Sequence, residues 1–323
     1  DMNAHARLEP RIAAILGALI ADAASLGLHW LYDPERIAQI EKTRGLVFLQ
    51  PDANDYANTR GYFAHGAKMA GDASAYGELC LLMLRHLVKH HEFNRVQYQS
   101  DYCSHFGPGG AYTGYVDSPT RQTLHRLLSL KPEEFPEKSG ADDDQFSAVA
   151  ALPALVAIHT GSQQSLASKI ELVVRLTHDN DTAVAAAQYT SAVLWQVLNG
   201  DPLTHALKDA LPHGGQTLAP LVEEALHAGE WDAIALGKRF GSACHVLEGV
   251  PIIAYLAQHA LDYRSAIEEN IRIGGDSCGR SIMLGAIVAA SNAQRPELSV
   301  DIPLAWLARY RKLMAAADAC ARL

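Results

Sequence analysis

Apolar and small residues recur at helical spacing along almost the whole chain. Arg11 to Leu28 is Ala- and Leu-rich and nearly continuous in its apolar positions, which predicts a buried helix. His29-Trp30-Leu31-Tyr32-Asp33-Pro34 ends it, because Pro34 cannot continue a helix. A second helix is expected from Ser74 to His91, a short one from Phe93 to Phe106 and another from Ser118 to Leu130. Gln145 to His159 reads as an apolar helix that Pro153 kinks or stops early. Leu166–Leu176 follows, then Thr182–Leu198, which ends on the C-cap signal Asn199-Gly200. Further stretches cover 203–211, 218–228, 231–240, 241–259 and 263–272, and a closing helix runs from about Leu304 to Ala321. No run alternates apolar and polar residues as a half-buried strand does.

The pattern predicts an all-α protein of about a dozen helices. They form a single compact multi-helix domain over 11–323, behind a flexible polar start at 1–10. Helix lengths vary too much for a solenoid. Two loops interrupt the helices. Residues 43–72 have no firm period and are long enough to suggest function. Gly107-Pro108-Gly109-Gly110 lacks the Lys-Ser/Thr of a phosphate loop. The triplet Asp142-Asp143-Asp144 reads as solvated or helix-starting, with hard-cation binding as the alternative.

The stretch Gly274-Gly275-Asp276-Ser277-Cys278-Gly279-Arg280 has the most chemistry. Two glycines allow a sharp hinge. Asp276 or Ser277 can cap the helix that follows. Small residues from Gly285 to Ala290 let another helix pack closely. Asp276 and Arg280 are four apart and so share a helical face.

Composition narrows the function. The chain has 323 residues, is 49% hydrophobic and carries a net charge of −9. That core is ample, and an acidic chain without a basic run argues against nucleic acid or an anionic membrane as partner. Apolar runs fall short of the roughly 20 residues of a membrane span. Asp1 to Pro10 is polar and unlike a secretory leader. Five scattered cysteines, none in a C-x-x-C pair, indicate free thiols in a reducing compartment, hence a cytoplasmic location.

Three acids are expected at helix mouths beside small residues: Asp22, Glu78 and Asp276. Converging carboxylates suit a hard cation or the activation of water in glycosidic cleavage. Cys278 beside Arg280 would have a lowered pKa, though a buried inert thiol is the plainer reading. His29, His178 and His245 lie at helix boundaries and suit hydrogen-bonding roles in a cleft wall.

At these residues the chain resembles the ADP-ribosylglycohydrolase family. Gly17-Ala18-Leu19-Ile20-Ala21-Asp22-Ala23 looks like the family's opening helix, and Leu176-Thr177-His178 like its Leu-Thr-His turn. Tyr76-Gly77-Glu78-Leu79-Cys80 falls where the family has Tyr-Thr-Asp-Asp-Thr. Gly274-Gly275-Asp276 with Gly285-Ala286 matches its Gly-Gly-Asp-x-Asp-Thr helix, and Ile302-Pro303 with Trp306 its closing Ile-Pro-x-x-Trp. His29-Trp30-Leu31-Tyr32-Asp33 and the altered motifs are similar to the J-type crystallin branch, which has this fold with an eroded metal site.

The resemblance implies a hydrolase of a glycosidic bond to ribose, acting on ADP-ribosyl protein or a smaller nucleoside-like molecule. Glu78 and Asp276 would be its catalytic and metal-binding acids. Asp22, His29, Tyr76, His178, His245, Cys278 and Arg280 would line the substrate cleft, with Arg280 placing a positive charge near a vacated metal position. The family holds two magnesium ions. Leu79 and Cys278 replace two ligand acids here, so at most one ion is expected. The alternative is a catalytically silent, crystallin-like binding or structural protein of the same fold.

Overall fold

The structure is a computed structural model that describes residues 8–295 and 302–323. The expected flexible start falls mostly outside these residues. The helices, in order, are α1 Pro10–Ser25, α2 Pro34–Arg44, α3 Ala75–His90, α4 Arg95–Phe106, α5 Ser118–Leu127, α6 Leu152–Ala157, α7 Gln163–Arg175 and α8 Asp181–Leu198. They continue as α9 Leu203–Asp209, α10 Gly215–His227, α11 Ala233–Phe240, α12 Val246–His259, α13 Tyr263–Ile273, α14 Ser277–Ala293, α15 Leu304–Arg309 and α16 Leu313–Ala321. Among the described residues there is no strand, only isolated bridges such as Leu31 with Gly61.

The centre of the molecule is the antiparallel pair α1 and α14. Both are buried along nearly their whole length. Their backbones meet at glycines: a Cβ on Gly285 would lie 2.4 Å from the Gly17 carbonyl oxygen, and one on Gly17 would lie 2.5 Å from Ala289 Cβ. Further along, Cys278 Sγ reaches the Asp22 carbonyl at 3.6 Å. Side chains such as Ile15, Leu19 and Ile20 then fill the surrounding core, each fully buried one contributing about 1.5–3 kcal/mol. Segment Pro10–Leu28 is long and apolar enough to cross a bilayer by length and composition, contrary to the expectation from the sequence. Here 89% of it is buried against other helices, as in the core helix of a folded protein.

Several boundaries differ from the sequence reading for local reasons. Pro153 neither kinks nor stops a long helix. A 3₁₀ turn at Phe146–Val149 comes first, and α6 begins at Leu152 with the proline in its first turn, where its missing N–H costs nothing. Helix α2 was not expected. Asp33 caps it by accepting from the backbone N–H groups of Glu35 and Arg36, and Pro34 starts it. The closing helix is two, α15 and α16, parted at Tyr310-Arg311-Lys312. That break brings Lys312 into the site described next.

Candidate functional site

The hinge before α14 sets the geometry. Gly274 and Gly275 have φ of +83° and +67°, and a Cβ on Gly275 would lie 2.0 Å from the Ser242 carbonyl oxygen, so both the angle and the space demand glycine. The turn is held by three backbone bonds: Trp30 N–H to Gly275 O, Gly275 N–H to Leu31 O and Asp276 N–H to Ser242 O. Asp276 is thereby placed as N-cap of α14, fully buried. Its Oδ1 accepts from Gly279 N–H at 3.1 Å and lies 2.7 Å from His29 Nε2, and its Oδ2 accepts from the Tyr76 hydroxyl at 2.9 Å. Burial of a carboxylate requires such partners. Asp276, His29 and Tyr76, all predicted from the sequence, therefore form one cluster.

Arg280 lies one turn further on, also fully buried, and its guanidinium bonds to Asn270 and the hinge backbone and not to the side chains of this cluster. Nε donates to Asn270 Oδ1 at 2.6 Å, and Nη2 donates to the carbonyls of Gly274 at 2.6 Å and Asn270 at 3.1 Å. Arg280 is committed to holding the hinge from behind.

Asp22, inside α1, accepts from the backbone N–H of Ser74 at 2.9 Å and from the Ser74 hydroxyl, at the start of α3. Burial outweighs these bonds and raises its pKa to about 7. Gly77 packs directly on it, where a Cβ would lie 2.2 Å from Asp22 Oδ2. Cys278 is buried beside both acids. Burial, with the negative charges of Asp22 and Asp276, pushes its thiol pKa well up, the reverse of the lowered value expected next to Arg280. A nucleophilic role for it is removed, since the thiolate is the reactive form.

Glu78 lies two residues after Tyr76, and positions two apart do not share a helix face. Its Oε1 accepts from Lys312 Nζ at 2.6 Å, and its Oε2 lies 2.9 Å from His105 Nε2. Burial pushes its pKa up, but the bonds from His105 and Lys312 and their charges outweigh it and lower the value to about 2. Glu78 and Asp276 share no hydrogen-bond partner among the described residues. Because the folded pKa lies below the ordinary 4.5, the ion pair stabilises the fold fully above about pH 4.5 and loses that contribution as pH falls toward 2. Glu78→Gln is expected to cost about 2–3 kcal/mol at pH 7. In urea unfolding its deficit against the wild type should shrink steadily between pH 4.5 and 2, and a deficit independent of pH would refute the pairing.

The other two predicted histidines are not bonded to the Asp276 cluster directly. His178 is buried, with Nε2 3.0 Å from Ser147 Oγ, which in turn donates to Asp117 Oδ2 at 2.7 Å. Burial lowers its pKa to about 4. His245 is half-exposed and pairs with Asp144 at 2.6 Å, which raises its pKa. Each member of the acid triplet has its own partner: Asn180 donates to Asp142, Gln145 to Asp143, and His245 pairs with Asp144.

Magnesium wants several free oxygen ligands at about 2.1 Å. Leu79 is buried and supplies none, and Cys278 offers sulfur. Lys312 and His105 occupy the Glu78 carboxylate, and three donors occupy that of Asp276. The residues present do not fit the ion. A separate group, His86, His90 and Asp101, brings three possible ligand atoms within 4.8 Å. There the Asn94 N–H donates to His86 Nε2 at 3.1 Å, so His86 Nδ1 carries a proton and faces Asp101 at 2.9 Å. That ring caps a turn and does not ligate.

The family model for ADP-ribosylglycohydrolase matches residues 4–323. The chain belongs to the ADP-ribosylglycohydrolase family. Among its relatives, crystallin J1A of Tripedalia cystophora is 30% identical over 311 residues, covering 92% of this chain and 90% of that protein. Crystallin J1B of the same animal is 30% identical over 316 residues with the same coverage. A solved structure described as an ADP-ribosylglycohydrolase-related protein complex superposes with a TM-score of 0.70, covering 98% of this chain and 97% of the other. At 16% identity it bears on the fold alone.

This member of the family also has site residues that the sequence did not single out. His65 comes from the long 43–72 loop, whose length was the one available signal. Its Nε2 lies 2.8 Å from His29 Nδ1. Asp117, Tyr115 and Ser74 line the same cleft as His29, Trp30 and Tyr76. Lys312 and His105 carried no sequence signal, because their importance lies in meeting Glu78.

Proposed function

We propose that this protein is a magnesium-independent, small-molecule-binding member of its family, of the crystallin-like kind, and is silent toward ADP-ribosyl bonds. The observation that carries this reading is the ion pair Lys312–Glu78, at 2.6 Å: a lysine ammonium holds the carboxylate that the family motif would offer to a metal. Leu79 and Cys278 at two further ligand positions support it, as does 30% identity to two proteins named crystallins. Asp276 keeps its place at the hinge, so a cleft persists where a reacting centre would stand.

The expected result is that incubation with ADP-ribosylated protein releases no ADP-ribose above the blank, with or without millimolar magnesium. Magnesium should also leave the unfolding temperature unchanged, since an ion that does not bind the native state cannot stabilise it. Magnesium-dependent release would overturn the proposal.

One observation favours a second reading, metal-independent cleavage of a ribosyl bond. The chain Asp276–His29–His65 ends on a ring nitrogen with no partner among the described residues; burial lowers the His65 pKa to about 2, so this nitrogen would orient an attacking water as a hydrogen-bond acceptor without holding its proton. Release of ADP-ribose that persists in EDTA and is lost in His65→Phe would select that reading over the first.

A further inference from the structure

The hydrogen-bond chain that starts at Asp276 determines what its far end can recognise. The Asp276 carboxylate accepts from Gly279 N–H and the Tyr76 hydroxyl, so it faces His29 Nε2 as an acceptor and that nitrogen carries the proton. With the His29 ring neutral, its Nδ1 is the acceptor for His65 Nε2–H, at 2.8 Å. The proton of His65 is thereby spent, and its Nδ1 is left as a lone-pair acceptor. His65 is only 3% exposed, and its Nδ1 has no partner among the described residues. A buried polar atom left in that state has lost its hydration without compensation, which a ligand donor would supply.

The surroundings define the ligand. A void of about 10 Å³ lies among His29, Trp30, His65, Tyr76, Tyr115 and Asp117, the space of one water-sized group. Trp30 stacks parallel to His65 at 5.9 Å and meets Tyr115 edge-on at 4.7 Å. Trp30 is held at φ +62°, in the left-handed region that a bulky residue rarely adopts, and such strain tends to persist at functional positions. Tyr62, 57% exposed, continues the aromatic wall to the surface.

The acid at the void is Asp117, whose oxygens also accept from the Thr120 N–H and the Ser147 hydroxyl. Asp117 lines the void, and together with Asp276 and Asp143 it raises the pKa of the half-buried Cys244 thiol beyond the effect of burial. Most nearby cations are bound to other groups, although the Lys68 charge is felt at His65. Arg280 holds the hinge carbonyls, Arg121 donates to the Val116 carbonyl, Lys68 lies over the Tyr112 ring and His245 pairs with Asp144.

We infer that this cleft binds the head of a primary alkylammonium ion, with an N–H donated to His65 Nδ1 and the charge set between Asp117 and the rings of Trp30 and Tyr115. Cation–π attraction and a buried carboxylate both favour a positive head here. The inference rests on reading the cleft as a magnesium-free ligand site, but its test is separate from ADP-ribose release.

The test is calorimetric titration of the full chain with butylammonium chloride, with sodium chloride at equal ionic strength as reference. Saturable binding of butylammonium is expected. Tetramethylammonium, which has no N–H, should bind about tenfold more weakly, and His65→Phe should weaken butylammonium binding by about tenfold or more. Tyr115→Ala, which leaves the histidine chain intact, should weaken both ions. Absence of saturable binding overturns the inference, as does equal affinity for the two ions or butylammonium affinity unchanged in His65→Phe or Tyr115→Ala. Any of these results leaves the magnesium-independent reading standing, since that depends on whether magnesium drives ADP-ribose release.

Discussion

Arg280→Met is expected to destabilise the fold by about 3–5 kcal/mol, the range for removing one partner of a buried, hydrogen-bonded charge. Arginine 280 is fully buried, and burial lowers its pKa only to about 10, so it remains charged at neutral pH. Its guanidinium saturates Asn270 Oδ1 and the carbonyls of Gly274 and Asn270. Methionine fills much of the same volume but donates to none of them. It also leaves Asp276 without the positive charge that stands behind the hinge. Urea unfolding with the variant and wild type side by side measures the difference. A loss under about 1 kcal/mol, with altered ligand binding instead, would mean that Arg280 serves the cleft. Arg280→Lys should recover only part of the stability, because a lysine ammonium lacks the planar fork that spans several acceptors.

Gly285→Ala should be almost as costly, about 2–4 kcal/mol, even though alanine is the better helix former by about 1 kcal/mol. The added methyl would lie 2.4 Å from the Gly17 carbonyl oxygen and 2.8 Å from Ala21 Cβ. Neither is the end of a flexible side chain, so α1 and α14 must move apart. That separation would spread along the pair, loosening the contact between Cys278 and Asp22 and with it the seat of Asp276. Thermal unfolding of the variant checks it. A neutral or stabilising result would mean that the two helix backbones do not touch at Gly17 and Gly285.

Glu78 and Arg280 separate what is legible in a sequence from what is not. Both lie in motifs that mark the family, and both are acid or base at a helix start, so residue type and spacing pointed to the cleft. Spacing places a residue on its own helix but does not say what the face meets. The partners of Glu78 are Lys312, 234 positions away, and His105 on the next helix. Asp276 takes His29 from 247 positions away and Tyr76 from 200. Nothing periodic in a sequence encodes such separations.

The sequence by itself determined the all-α class, most helix positions, the glycine hinge with its aspartate cap, and the membership in a family. These depend on local terms: helical apolar spacing, the φ freedom of glycine, proline as a helix start and side-chain caps. Tertiary structure alone decided that His65 ends the Asp276–His29 chain, that Lys312 occupies the Glu78 carboxylate, and that Arg280 braces the hinge from behind. The physical reason is that a buried polar group must find a partner somewhere in the folded chain, and which partner reaches it is settled only when the helices pack.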